Sequence, residues 1–80
     1  MNTTLNDRIA QVLALVFNLM PNEIPADFSI DNTDEWTSLT HLTIILSLEE
    51  EFNVEFTDQE SIELVSFQLI YATLLKKGIS

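Results

Sequence analysis

Glu35-Trp36-Thr37-Ser38-Leu39-Thr40-His41-Leu42 is the stretch on which the fold turns, with Leu48-Glu49-Glu50-Glu51-Phe52 as its downstream counterpart. Before it, residues 21–36 carry two prolines, five acids and no sustained hydrophobic period, as a long loop does. After it, apolar residues recur at helical spacing, so a helix is predicted from Thr37 or Ser38 to about Phe52. Leu39, Leu42 and Leu46 form one apolar stripe of that helix, flanked by Ile45 and Phe52, while Thr40, Thr43, Ser47, Glu50 and Glu51 make a wet face. Ser38 therefore stands exposed at a helix start, over the positive end of the helix dipole. Its hydroxyl could serve only to cap the helix, but Thr37 is equally able to do that, and both readings stay open.

The same periodicity extends to the rest of the chain. Leu5, Ile9, Val12, Leu13, Val16 and Met20 predict a first helix over about 4–20, capped by Thr3 or Thr4 and stopped by Pro21. Ile24, Phe28, Ile30 and Trp36 are the apolar residues expected to pin the following loop to the core. Asn53-Val54-Glu55-Phe56-Thr57 reads as an extended link. Thr57 and Glu60 then form a capping box for a short helix over about 58–64. Ser66 caps a last helix through Lys77, with Phe67, Ile70, Tyr71, Leu74 and Leu75 facing inward and Gly78 as its C-terminal stop. The fold class that follows is all-α: a small antiparallel four-helix bundle, three main helices and one short one, with residues 1–80 as a single domain.

Composition narrows the functions available. Eighty residues with 46% apolar content and no cysteine describe a small core without disulfides or thiolate metal sites. Thirteen acids against three bases give a net charge of −10, and residues 9–75 contain no Lys or Arg. Such a chain repels nucleic acid and anionic membranes and is steered toward basic surfaces on partners. It has no basic leader and no long apolar span, so a monomeric cytoplasmic protein is expected.

Catalytic and metal motifs fail on inspection. His41 is the only histidine and lies three positions after Ser38, but a Ser-His pair lacks the orienting acid and oxyanion hole of a hydrolase. It is expected at the surface near a binding interface. Asp31, Thr33 and Glu35 alternate like calcium ligands, yet an EF-hand needs glycine and glutamate where this chain has Trp36 and Leu42. With Gly78 as the only glycine, no phosphate-cradling loop is possible. Three consecutive glutamates at the end of the second helix oppose its dipole, at about 0.3–1 kcal/mol per charge before screening. A locally unfavourable choice repeated three times suggests a role in binding.

Ser38-Leu39, preceded by Trp36 and followed by Leu48-Glu49-Glu50-Glu51-Phe52-Asn53-Val54-Glu55-Phe56, resembles the acyl carrier protein family across nearly the whole chain. The resemblance implies that Ser38 receives 4′-phosphopantetheine from a phosphopantetheinyl transferase. It further implies a non-catalytic chain that carries acyl or aminoacyl groups as thioesters on that arm. The pathway would be fatty-acid-like, polyketide or another specialised biosynthesis. Thr37 departs from the family, which has aspartate before the serine, and Thr40 and Thr43 replace carboxylates presented to partners. The expected partner surface thus comprises Trp36, Thr37, Leu39, Thr40, His41 and Thr43, with Glu49, Glu50, Glu51, Glu55 and Asp58 as its displaced acidic part. It would meet basic patches on acyl-loading, condensing or transferase enzymes, and salt should weaken that docking. Leu39, Leu42, Leu46, Phe56 and Ile62 are the residues expected to shelter an acyl chain. Thr37 also keeps an alternative open: an unmodified, carrier-like adaptor subunit without a prosthetic group.

Overall fold

A computed structural model describes residues 4–79 as four helices: α1 (Leu5–Phe17), α2 (Ser38–Phe52), α3 (Asp58–Glu63) and α4 (Phe67–Lys76). Each begins where a side chain satisfies an orphan backbone N–H. The Thr4 hydroxyl accepts from Asp7 N at 3.1 Å, and Ser66 Oγ accepts from Leu69 N at 3.1 Å. Thr3, the other cap considered for α1, lies outside the described residues. In the Thr57/Glu60 capping box, Thr57 N donates to Glu60 Oε1 at 2.9 Å and Glu60 N to Thr57 Oγ1 at 3.1 Å.

Two helices stop on a left-handed asparagine, Asn18 (φ 58°) after α1 and Asn53 (φ 53°) after α2. Asparagine tolerates that conformation better than other non-glycine residues, and its N–H closes back onto the last turn. α1 therefore ends short of the predicted Met20. Pro21 forces the residue before it into extended backbone, and Met20 is extended and exposed rather than helical. Gly78, at φ 88°, supplies the stop after α4 that its position suggested.

α1 packs against α2 and α4, and Ile9, Leu13, Ile44, Leu48, Leu64, Ile70 and Leu74 are wholly enclosed. The buried face of α2 is Ile44, Ile45, Leu48 and Phe52. This corrects the sequence reading, which assigned the apolar stripe to Leu39, Leu42 and Leu46; these are 75%, 54% and 56% exposed. α2 is apolar on more than one side, so periodicity offers two inward faces, and contact with α1 decides between them.

The long loop is strapped down rather than free. It contains two 3-10 turns, Pro21–Glu23 and Ile30–Asn32, and an antiparallel bridge joins Ser29 to Ser66. Phe67 N donates to Phe28 O at 2.8 Å and Ile30 N to Val65 O at 3.0 Å. Phe28 and Trp36 are buried and form an aromatic cluster with Phe17, with ring centroids 5.2–5.9 Å apart. Ile24 is half-buried and Ile30 is left largely outside. The radius of gyration, 11.6 Å, matches a compact chain of this length, about 12 Å, so the loop adds little to the envelope.

Two cations near the chain ends bind its acids together. Arg8 of α1 pairs with Glu51 Oε2 at 3.2 Å, donates to Glu51 O at 3.1 Å, and sits 4.4 Å over the Phe52 ring. It thereby offsets the negative end of the α2 dipole. Lys77 reaches back from the end of α4 to Glu60 Oε1 at 2.9 Å. The Glu60 carboxyl is held below its usual range, first by the Thr57 N–H and then by Lys77. Because the folded value is depressed, this stabilisation is complete above the ordinary glutamate value, about 4.3, and is lost as pH falls through the folded value. The melting-temperature gap between wild type and Glu60→Gln should thus be constant near neutrality and close on acidification. A gap that persists into strong acid contradicts this assignment.

Candidate functional site

The cap question at the start of α2 resolves by geometry. Thr37 Oγ1 accepts from Thr40 N at 3.3 Å and lies 3.1 Å from Thr40 Oγ1, while Ser38 is the first helical residue and is exposed. Threonine does here what aspartate does at an N-cap. Relative to the aspartate that the resemblance implies at this position, Thr37 lacks the charge and keeps the cap. The Ser38 hydroxyl is released from the structural role and stands beside the N-terminal amides of a four-turn helix.

Beside Ser38 lies a shallow cleft of about 280 Å³, lined by Ile30, Thr37, Ser38, His41, Ile62 and Val65. α2 supplies the serine and the histidine, α3 supplies Ile62, and the strapped loop and the link to α4 supply Ile30 and Val65. The walls are mainly apolar, with Thr37 and Ser38 as the hydroxyl-bearing residues of the lining.

His41 is not the surface residue expected. It is part-buried, and both ring nitrogens are engaged: Nε2 lies 2.6 Å from the Ser61 carbonyl, and Trp36 Nε1 lies 3.0 Å from Nδ1. The partners dictate the tautomer. A carbonyl only accepts and an indole N–H only donates, so the proton is on Nε2 and Nδ1 accepts. The Ser61 carbonyl belongs to the last turn of α3, where the backbone donor that reaches it is Leu64 N, at a long 3.4 Å. His41 thus caps α3 from α2, and its ring stacks on Trp36 with centroids 6.1 Å apart. No lone pair is left on His41 to take a proton from Ser38, which removes the only Ser-His arrangement the chain could offer.

The remaining site residues divide. Trp36, expected at the partner surface, is 3% exposed, a correction explained by its aromatic cluster and its bond to His41. Leu39 and Thr43 are exposed on the outer side of α2, and Thr40 is half-buried. Of the three glutamates, Glu49 accepts from Phe56 N at 2.9 Å and Glu51 is held by Arg8, while Glu50 is free for solvent. Two of the three locally unfavourable charges thus have structural partners. Glu55 and Asp58 are exposed. Of the five residues expected to shelter an acyl chain, only Ile62 lines the cleft, and it is 70% exposed. Leu39, Leu42 and Leu46 lie outside on α2, and Phe56 is half-buried under the Lys77 ammonium. Ile30 and Val65 were missed as cleft residues, because their bonding across the chain carries no local pattern.

Elsewhere, Val12, Leu15, Ser47, Glu50 and Glu51 line a groove of about 320 Å³ between α1 and α2. It holds no nucleophile other than Ser47. Among the described residues no cluster of His, Asp or Glu could hold a metal ion, and no helix is long and apolar enough to cross a membrane.

A helical bundle that displays an unengaged serine at the start of its second helix, beside a small apolar cleft, defines the class. The chain is 37% identical over 70 residues to the acyl carrier protein of Buchnera aphidicola subsp. Baizongia pistaciae (strain Bp), a match covering 85% of this chain and 82% of that protein. No family model matches. The protein belongs to the acyl carrier protein family.

Proposed function

We propose that the chain is a passive carrier in which Ser38 is the attachment point for 4′-phosphopantetheine. The observation that carries this reading is the division of labour at the start of α2: Thr37 caps the helix and leaves the Ser38 hydroxyl exposed. The residues present fit the group. A phosphate ester on Ser38 Oγ would sit over the positive end of the α2 dipole, which favours negative charge. The cleft would meet the first part of the arm with apolar walls at Ile30, Ile62 and Val65. When bound, the arm supplies a thiol on which an acyl or aminoacyl group is held as a thioester.

Everything else the chain does is positional. Ser38 Oγ must give its proton to a base of the transferase, because His41 is engaged on both nitrogens. Partners in a fatty-acid-like, polyketide or other specialised pathway would read the outer face of α2. That face carries Leu39, Thr43 and Leu46, and then Glu50, with Glu55 and Asp58 beyond. Docking is thus apolar near Ser38 and acidic farther away, suited to an enzyme surface with basic residues around an apolar centre.

A second reading rests on Thr37. The lost aspartate charge favours an unmodified adaptor if no transferase accepts the site. Incubation with coenzyme A, magnesium and a promiscuous phosphopantetheinyl transferase separates the two. The expected result is one phosphopantetheinyl group added to the wild type and none to Ser38→Ala, with faster addition to Thr37→Asp. If Thr37→Asp also stays unmodified, the carrier reading fails and the adaptor reading replaces it.

A further inference from the structure

We infer that His41 is the specificity-determining residue of the Ser38 site, limiting the cargo to short acyl groups by barring the seam between α2 and α3. The inference rests on Ser38 being the attachment point. The seam is a route by which a chain held near Ser38 could pass from the cleft toward the apolar interior, since α2 and α3 line the cleft together with the strapped loop and the link to α4. His41 spans it with a hydrogen bond of 2.6 Å to the Ser61 carbonyl, and Trp36 holds the ring from behind at 3.0 Å.

Opening the seam would strip the His41 Nε2–H of its acceptor and, once the ring turns, the Trp36 indole N–H of its own, while the Ser61 carbonyl would keep only the long bond from Leu64 N at 3.4 Å. Trp36 is buried, so water cannot readily replace that bond, and orphaned buried polar groups carry their full desolvation penalty. Ile44, Leu48 and Leu64 of the core have no exposure at all, so a chain entering the interior must also displace packed side chains.

The alternatives to entry shelter little. The cleft, about 280 Å³, lies just under the range of small-ligand pockets, roughly 300–1,000 Å³, and beside the first part of the arm it has no room for a long chain. The exposed Leu39, Leu42 and Leu46 form a convex helix ridge, which can cover a long chain on one side only. An alkyl chain is stabilised in proportion to the apolar surface it removes from water. A long one therefore gains nothing inside this fold, whereas an acetyl-sized group needs no interior.

The test loads Ser38 from acetyl- and dodecanoyl-coenzyme A with the same transferase, checks loading by intact mass, and compares melting temperatures. In the wild type the two forms should melt within about 2 °C of each other, about 0.25–0.5 kcal/mol in a domain of this size. In His41→Val, which removes the bar, the dodecanoyl form should gain about 4–8 °C over the acetyl form. His41→Gln, which keeps a donor and an acceptor, should behave as wild type. A gain of that size in the wild type overturns the inference, as does its absence in a folded His41→Val. Should His41→Val not fold, hydrogen exchange in the wild type decides. Exchange in α3 unchanged by the dodecanoyl chain supports the bar, and altered exchange there overturns it. Where the wild type does not load, the same comparison is run on the Thr37→Asp background; failure of that variant to load as well, seen by mass before any melting, refutes the carrier reading and this inference with it.

Discussion

Trp36→Ala should lower the folding free energy by about 3–5 kcal/mol, the usual range for removing a buried tryptophan. The whole fold, at about 0.05–0.15 kcal/mol per residue, is worth about 4–12 kcal/mol, so this variant is expected to lose from about a quarter to all of its stability. The size of the effect follows from what the side chain does. Its ring packs against Phe17 and Phe28, joining the end of α1 to the strapped loop, and its N–H orients His41. Losing it weakens the hold of the loop on α1, where Phe28 still meets Phe17, and the positioning of His41 against α3. Trp36→Phe separates the two contributions: most of the packing remains and only the bond to His41 goes, so a loss of about 1–2 kcal/mol is expected. Urea titration followed by circular dichroism is the appropriate measurement, because Trp36 is the chain's only tryptophan and its fluorescence vanishes with it. A Trp36→Ala variant within 1 kcal/mol of wild type, on the order of an ordinary surface change, would refute the strap.

Ser38→Ala and its neighbour Thr37→Ala should give opposite results. Ser38 is exposed and does not cap α2, so its replacement should leave stability within about 0.5 kcal/mol of wild type while abolishing function in cells. Thr37→Ala removes the cap and should cost about 0.5–2 kcal/mol, with the serine still available for modification. Complementation of a deletion strain, read beside thermal melts of both proteins, checks the pair. Growth supported by Ser38→Ala would favour the adaptor. A marked loss of stability in Ser38→Ala with none in Thr37→Ala would reverse the assignment of the cap.

How much of this was legible beforehand depended on the range of the interaction. Helix starts were readable at Thr4, Thr57 with Glu60, and Ser66, because a cap is made within three residues and depends on local chemistry alone. The end of α1 was misjudged by a few residues, since Pro21 was visible but the left-handed Asn18 was not. Long-range pairing left no trace. Arg8 meets Glu51 across 43 positions and His41 meets Ser61 across 20, and no period links such residues. The burial of α2 failed for another reason: a helix apolar on two sides supports two inward faces, and α1 selects the one through Ile44 and Leu48. The three glutamates were read as a binding surface because Arg8 and the backbone of Phe56, their partners, are remote or belong to a loop. The exposed position of Ser38 at the junction of loop and helix was legible because it follows from local sequence.

The most direct test of the central claim is the intact mass of the protein isolated from the cells that make it, with the modified residue located by fragmentation. The account predicts a chain heavier by one phosphopantetheinyl group, localised to Ser38. A chain found only at its unmodified mass in cells that use it would contradict the carrier account.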